Sequence, residues 1–241
     1  MSTVENRTET TAEAIAFAQR FQTCQFIPRN LKTKHRQSTG KPMQDRIILA
    51  SGSAIRAQLL RNAGVVIETI KPLIDEQSIK EGLEAEGASP RDIADCLAEA
   101  KARKISGKHG DALVIGCDQV LDHRGQLFSK PKTPGDALSQ LQGLRNDKHQ
   151  LLSAAVIYEG GKPIWRHVGV VRLTMRDASD AYLTDYVARN WDSIRHAVGA
   201  YKLEEEGVRL FARVEGDYFN VLGLPLIEML SYLTLRGTLP Q

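Results

Sequence analysis

Beyond Arg46 the chain alternates between two apolar rhythms. Short runs of β-favouring residues give way to segments whose apolar positions recur every three or four residues, a succession that predicts an α/β or α+β fold over an all-helical one. "RIILA" reads as a strand, and a helix over Ala54–Ala63 follows, with Gly64 as its stop. "GVVIETI" returns as a strand. A second helix opens at "SPRD", with Ser89 as N-cap, Pro90 in the first turn and Asp92 at the third helical position, and runs towards Ile105. "ALVIGC" has the length of a buried strand, expected to end at Asp118 and Gln119. "TPGDALSQLQGL" repeats the helix-start signature, and "HQLLSAAVIYEGGKPIWRHVGVVRLTMR" predicts two strands turning at Gly160-Gly161. Helix is expected again over Ala178–Arg189, and "GLPLIEMLSYLTL" closes the pattern as a Pro-initiated helix.

Ahead of this domain, placed at residues 46–236, residues 1–45 hold one weak amphipathic stretch, "TAEAIAFAQRFQ", and read as a mostly disordered extension. Glu5, Glu9 and Glu13 count against a mitochondrial presequence, which is poor in acids. Charge sharpens the division. Of the 32 basic and 29 acidic residues, eight and four fall in residues 1–46, leaving 24 and 25 for the rest. A nearly neutral body lacks the basic stripe that tracks a nucleic acid, though a few converging cations can still hold a small polyanion. No stretch approaches the roughly 18 consecutive apolar residues of a membrane span, so a cytoplasmic protein is expected. Cys24, Cys96 and Cys117 are odd in number and far apart, which fits reduced packing residues better than a disulfide framework or a zinc motif.

Candidate chemistry gathers at the ends of the predicted strands. In "ASGSAIR" a small hydroxylic turn between strand and helix sets Ser51 and Ser53 beside the unpaired N–H groups of a helix N-terminus, an arrangement suited to phosphate. Arg56, one turn in, adds a forked donor; the alternative is that Ser53 only caps the helix and Arg56 is solvated. Lys101 shares the apolar stripe of Ile93 and Leu97, so it either snorkels outward or reaches into a cleft. Asp118 follows an apolar strand, where open α/β sheets present groups to ligands, or else forms a local turn. Lys130, in "SKP", adds a loop cation, and Glu76, in "IDE", a second carboxylate. Two carboxylates facing several cations suit a divalent metal and a polyphosphate.

In this order the residues resemble the Maf family of nucleoside triphosphate pyrophosphatases, over nearly all of Ile47 to Leu235. The family's Ser-x-Ser-Pro-Arg-Arg stands here as Ser51-Gly52-Ser53-Ala54-Ile55-Arg56. It is followed by Asp75-Glu76, Lys101-Ala102, Asp118-Gln119, Lys130-Pro131, the segment Val198 to Tyr201, and "EGDYFNVLGLPL". The resemblance implies a mixed central sheet with flanking helices in two lobes around a nucleotide cleft, commonly as a homodimer. It implies hydrolysis between the α and β phosphates with Mg2+ or Mn2+, as house-cleaning of the nucleotide pool. By it, Asp118 accepts a proton from the attacking water, Ser51, Ser53, Arg56, Lys101 and Lys130 hold the triphosphate, and Glu76 with Asp118 holds the metal. Gln119 and Glu204 resemble the 7-methyl-GTP pyrophosphatase branch. A carboxylate favours the cationic methylated base, whereas Ile55 stands where that branch tends to carry an aromatic residue. The alternatives are a broad-specificity or dTTP/UTP pyrophosphatase, or a nucleotide-binding regulator of septum formation without turnover.

Overall fold

The computed structural model describes residues 45–241, so the expected N-terminal extension lies almost wholly outside the described residues. Seven strands form one sheet: β1 (Ile47–Ala50), β2 (Glu68–Thr69), β3 (Leu113–His123), β4 (Gln126–Phe128), β5 (Lys148–Glu159), β6 (Lys162–Met175) and β7 (Phe211–Glu215). Their order is β2-β1-β3-β5-β6-β7, with β4 paired to β3. β1 runs parallel to β2 and β3, and every other pairing is antiparallel. Around the sheet lie α1 (Ala54–Asn62), α2 (Glu76–Ala85), α3 (Pro90–Ser106), α4 (Pro134–Leu144), α5 (Asp180–Ile194), α6 (Tyr218–Val221) and α7 (Leu226–Arg236). The fold is α/β, as the alternating rhythms allowed, and its sheet is mixed, as the resemblance implied. Among the described residues no helix is long and apolar enough to cross a membrane.

Three apolar clusters fill the two faces. At the parallel end α3 covers one face, against Ile48, Val114 and Val120, while α1 and α7 cover the other, against Leu49, Ile115 and Cys117. At the antiparallel end α4 and α5 close on Leu121, Leu151 and Leu173. The split follows from the pleat, since alternate residues of β3 point to opposite faces. Cys96 and Cys117 are free and buried, and burial pushes their thiols up to about 12 and about 11, which suits packing residues.

Two details of β3 shape the site. The strand does not end at Asp118 as expected; it continues to His123, because Val120 and Leu121 go on filling both faces and Asp118 has a partner where it stands. On one edge β3 pairs with β1 over Leu113–Gly116 and with β4 over Leu121–His123, so residues 117–120 face no strand there. β5 occupies the other edge throughout. The sheet therefore has a notch beside Asp118.

His149, on β5, is buried in the antiparallel core with Nε2 2.8 Å from the Tyr201 hydroxyl, and burial holds its imidazole down at about 4. It stays neutral in the fold but protonates in the unfolded chain, so its contribution is complete above the ordinary histidine value of 6.5 and declines as pH falls towards about 4. Between pH 8 and pH 5 this one group should remove about 2 kcal/mol of stability. Urea unfolding of wild type and His149→Phe at both pH values checks this: the variant should lose that part of the dependence, and an unchanged slope would contradict it.

Candidate active site

The notch is lined from four directions. β1 stops at Ala50, and Ser51-Gly52-Ser53 turns the chain into α1. Ser51 Oγ accepts from the Ser53 N–H at 3.1 Å, and Ser53 Oγ accepts from the Arg56 N–H at 3.5 Å, so Ser53 does cap the helix. Both hydroxyls are acceptors in these bonds and keep an O–H for a ligand. Arg56 is not left in solvent. Its Nη1 donates to the Cys117 carbonyl at 2.9 Å, filling an acceptor that the missing strand leaves open. A Cβ on Gly223 would lie 2.9 Å from this guanidinium, so the bare backbone of "GLPL" lets it settle there.

From α3, Lys101 reaches the carboxylate of Asp118, Nζ to Oδ1 2.6 Å, both residues being only 7% exposed. Neither alternative from the sequence, a snorkelling lysine or a turn-forming aspartate, describes this buried pair. Glu76 completes the group from the first turn of α2, with Oε2 3.1 Å from the same ammonium and its side chain half exposed. Helix α2 was not expected, yet its signal is legible: Asp75 caps it by accepting from the Ser78 N–H at 3.0 Å, and Ile79 and Leu83 follow at helical spacing. That cap aims Glu76 at Lys101.

None of the remaining candidates is bonded to this group among the described residues. Lys130 is exposed, in a loop tethered to α2 by Lys80 Nζ donating to Ser129 Oγ at 3.1 Å. Gln119 points to the face opposite Asp118, as the pleat requires of neighbours on a strand. Its amide donates at 3.0 Å towards Ser153 Oγ and the carbonyls of Asn220 and Val221, so the side chain that the resemblance gave to base selection holds the α6 turn. Ile55 packs against the apolar cluster under α1 and α7. Glu204 is exposed beyond the turn at Val198–Ala200; with burial, its charge pushes the nearby Tyr218 phenol above its usual range. "EGDYFNVLGLPL" thus becomes the α6 turn, capped by Asp217 and fastened to the sheet through Asn220.

Sequence order, buried pair and notch together meet a decisive comparison: the family model described as Maf-like protein matches residues 46–235. The chain belongs to the Maf family. A Maf relative from Roseobacter denitrificans, named nucleoside triphosphate pyrophosphatase, is 72% identical over 83% of this chain and 100% of its own length. One from Ruegeria pomeroyi with the same name is 65% identical over 80% of this chain and 97% of its own. A Rhizobium meliloti protein named 7-methyl-GTP pyrophosphatase is 42% identical over 82% of this chain and 99% of its own. Relative to the Maf pattern, Ala54 and Ile55 remain the departures, and neither side chain takes part in the bonds described here.

Proposed function

We propose that this Maf chain hydrolyses the α–β phosphoanhydride of a nucleoside triphosphate, releasing the monophosphate and pyrophosphate, with 7-methyl-GTP as its preferred substrate. The pyrophosphatase activity is that named for relatives 64–72% identical to it. The observation that carries the chemistry is the buried Lys101–Asp118 pair at an open sheet edge, with Glu76 on the same ammonium and Arg56 bonded to the backbone of the adjoining Cys117.

A triphosphate laid across the notch meets Ser51, Ser53 and the α1 N-terminus on one side and Lys101 on the other. Asp118, turned by Lys101, accepts the proton as water attacks the α-phosphorus and the bond to the bridging oxygen breaks. Arg56, Lys101 and Lys130 offset the charge that gathers on the departing pyrophosphate. Glu76 and Asp118, whose carboxylates both lie within 3.1 Å of the Lys101 ammonium and so already share one cation, would be the residues to hold a magnesium or manganese ion. When bound, such an ion supplies Lewis acidity at the phosphoryl group. The homodimer is carried over from the resemblance as a further proposal.

For the base, Glu204 supports the cationic ring of 7-methylguanine, and a 42% identical relative carries that activity in its name. A broad substrate range is the second reading, favoured by the generic name of the 72% identical relative and by the engaged amide of Gln119. Pyrophosphate release with magnesium or manganese across 7-methyl-GTP, UTP, dTTP, CTP, GTP and ATP separates them. The expected result is the highest kcat/KM for 7-methyl-GTP. Comparable values for UTP and GTP would establish the broad reading, and nucleotide binding without release would favour a regulator.

A further inference from the structure

The Ser51-Gly52-Ser53 loop has a second cation beside it that no motif contains. Lys71 follows β2, and the Ile70 N–H donates to the Leu49 carbonyl at 3.0 Å, which ties this stretch to the end of β1 where the loop begins. Pro72, buried, fixes the chain on the other side. Between these anchors the lysine stem lies across Gly52: a Cβ built there would be 3.5 Å from Lys71 Cγ and Cδ and 3.8 Å from Cε. These are ordinary van der Waals distances, so the stem runs along the loop at position 52 without crowding it. Among the described residues the Lys71 ammonium has no ion pair or hydrogen bond. The acid nearest in sequence, Glu68, is held by Arg46 at 2.7 Å instead. An exposed lysine lying across this neighbouring loop, with its charge uncommitted, is placed to meet an anion there.

We propose that Lys71 is a further binding residue for the substrate's polyphosphate, holding it from the β2 side of the loop while Arg56 and Lys101 hold it from the β3 side. This rests on the pyrophosphatase reading but not on the choice of base. The phosphates are common to every nucleoside triphosphate, so the contribution of Lys71 is the same whichever base is attached.

The test is steady-state turnover by Lys71→Met, which keeps the stem over Gly52 and removes the charge, and by Lys71→Arg, which keeps both. It uses the two best nucleotides of wild type and inorganic pyrophosphate as product inhibitor. In Lys71→Met, KM should rise about fivefold for both nucleotides, with the inhibition constant of pyrophosphate rising alongside. The change in kcat should stay within about twofold. Lys71→Arg should restore KM, and the difference from wild type should shrink with added salt. Unchanged KM and unchanged pyrophosphate inhibition would overturn the proposal, as would a loss confined to one base. A wild type that prefers UTP would defeat the 7-methyl-GTP reading and leave this test intact.

Discussion

Replacing Asp118 by Asn should lower kcat about a thousandfold while leaving nucleotide binding nearly unchanged. The substitution keeps the shape of the side chain and its hydrogen bond to Lys101 but removes the proton acceptor, and positioned general bases contribute about 10²–10⁴ in rate. Lys101 keeps Glu76 at 3.1 Å, so the buried ammonium is not stranded and the fold should survive. Pyrophosphate release, paired with calorimetric binding of a non-hydrolysable analogue, reads both halves. A residual rate within about tenfold of wild type would take Asp118 out of the proton-accepting role. Retained binding with lost turnover would separate an enzyme from a regulator that only binds.

The second large effect belongs to a residue with no side chain. Gly116→Ala should destabilise the protein by about 3 kcal/mol, near the top of what overpacking costs, which corresponds to a fall in Tm of about 10 °C for a domain of this size. Its Cβ would lie 2.1 Å from the Ala98 carbonyl oxygen and 2.6 Å from the Ala102 nitrogen. Both obstacles are backbone of α3, so a rotamer change cannot relieve them and the helix itself must move. Lys101 precedes Ala102 on that helix, and a displacement of about 1 Å is enough to cost on the order of 100-fold in catalysis. Turnover measured well below the new Tm should therefore fall too. The control is Gly143→Ala, an exposed position of α4 where the new methyl meets nothing within 4 Å beyond its own helix backbone, which should stabilise by about 0.5–1 kcal/mol. Thermal scans of the two variants should move in opposite directions.

Local signals in the sequence carried much of the fold. Ser89, Pro90 and Asp92 start α3 as read, and Gly64, with φ 77°, lies just past α1. The long hairpin of β5 and β6 follows from two apolar runs around Gly160-Gly161. What failed was decided by partners far along the chain. "GVVIETI" contributes only Glu68–Thr69 to β2, because β1 offers four residues to pair with and Val66 turns out to solvent. β4 and β7 are short edge strands whose pairing with β3 and β6 leaves little trace in local pattern. Asp118 looked like a strand end because a carboxylate inside a buried strand is costly without a partner, and that partner, Lys101, belongs to another element. The residue types of the candidate site were legible, then, but not which side chains share a face. Gln119 is the clearest case: the resemblance gave it to base selection, and the pleat turns it away from Asp118 into bonds with Ser153, Asn220 and Val221.

That separation bears on how such an enzyme could diversify. Asp118 looks forward to α3 and α2, while Gln119 looks back to the turn carrying Tyr218 and Asn220, which is built from the last quarter of the chain. Exchanges behind the strand could reshape that turn without touching the groups arranged in front of it, provided Gln119 and the Arg56–Gly223 contact keep it seated. The two sides of one strand thus answer to separate constraints, and drift in the turn behind it leaves the buried pair before it to be inherited unaltered.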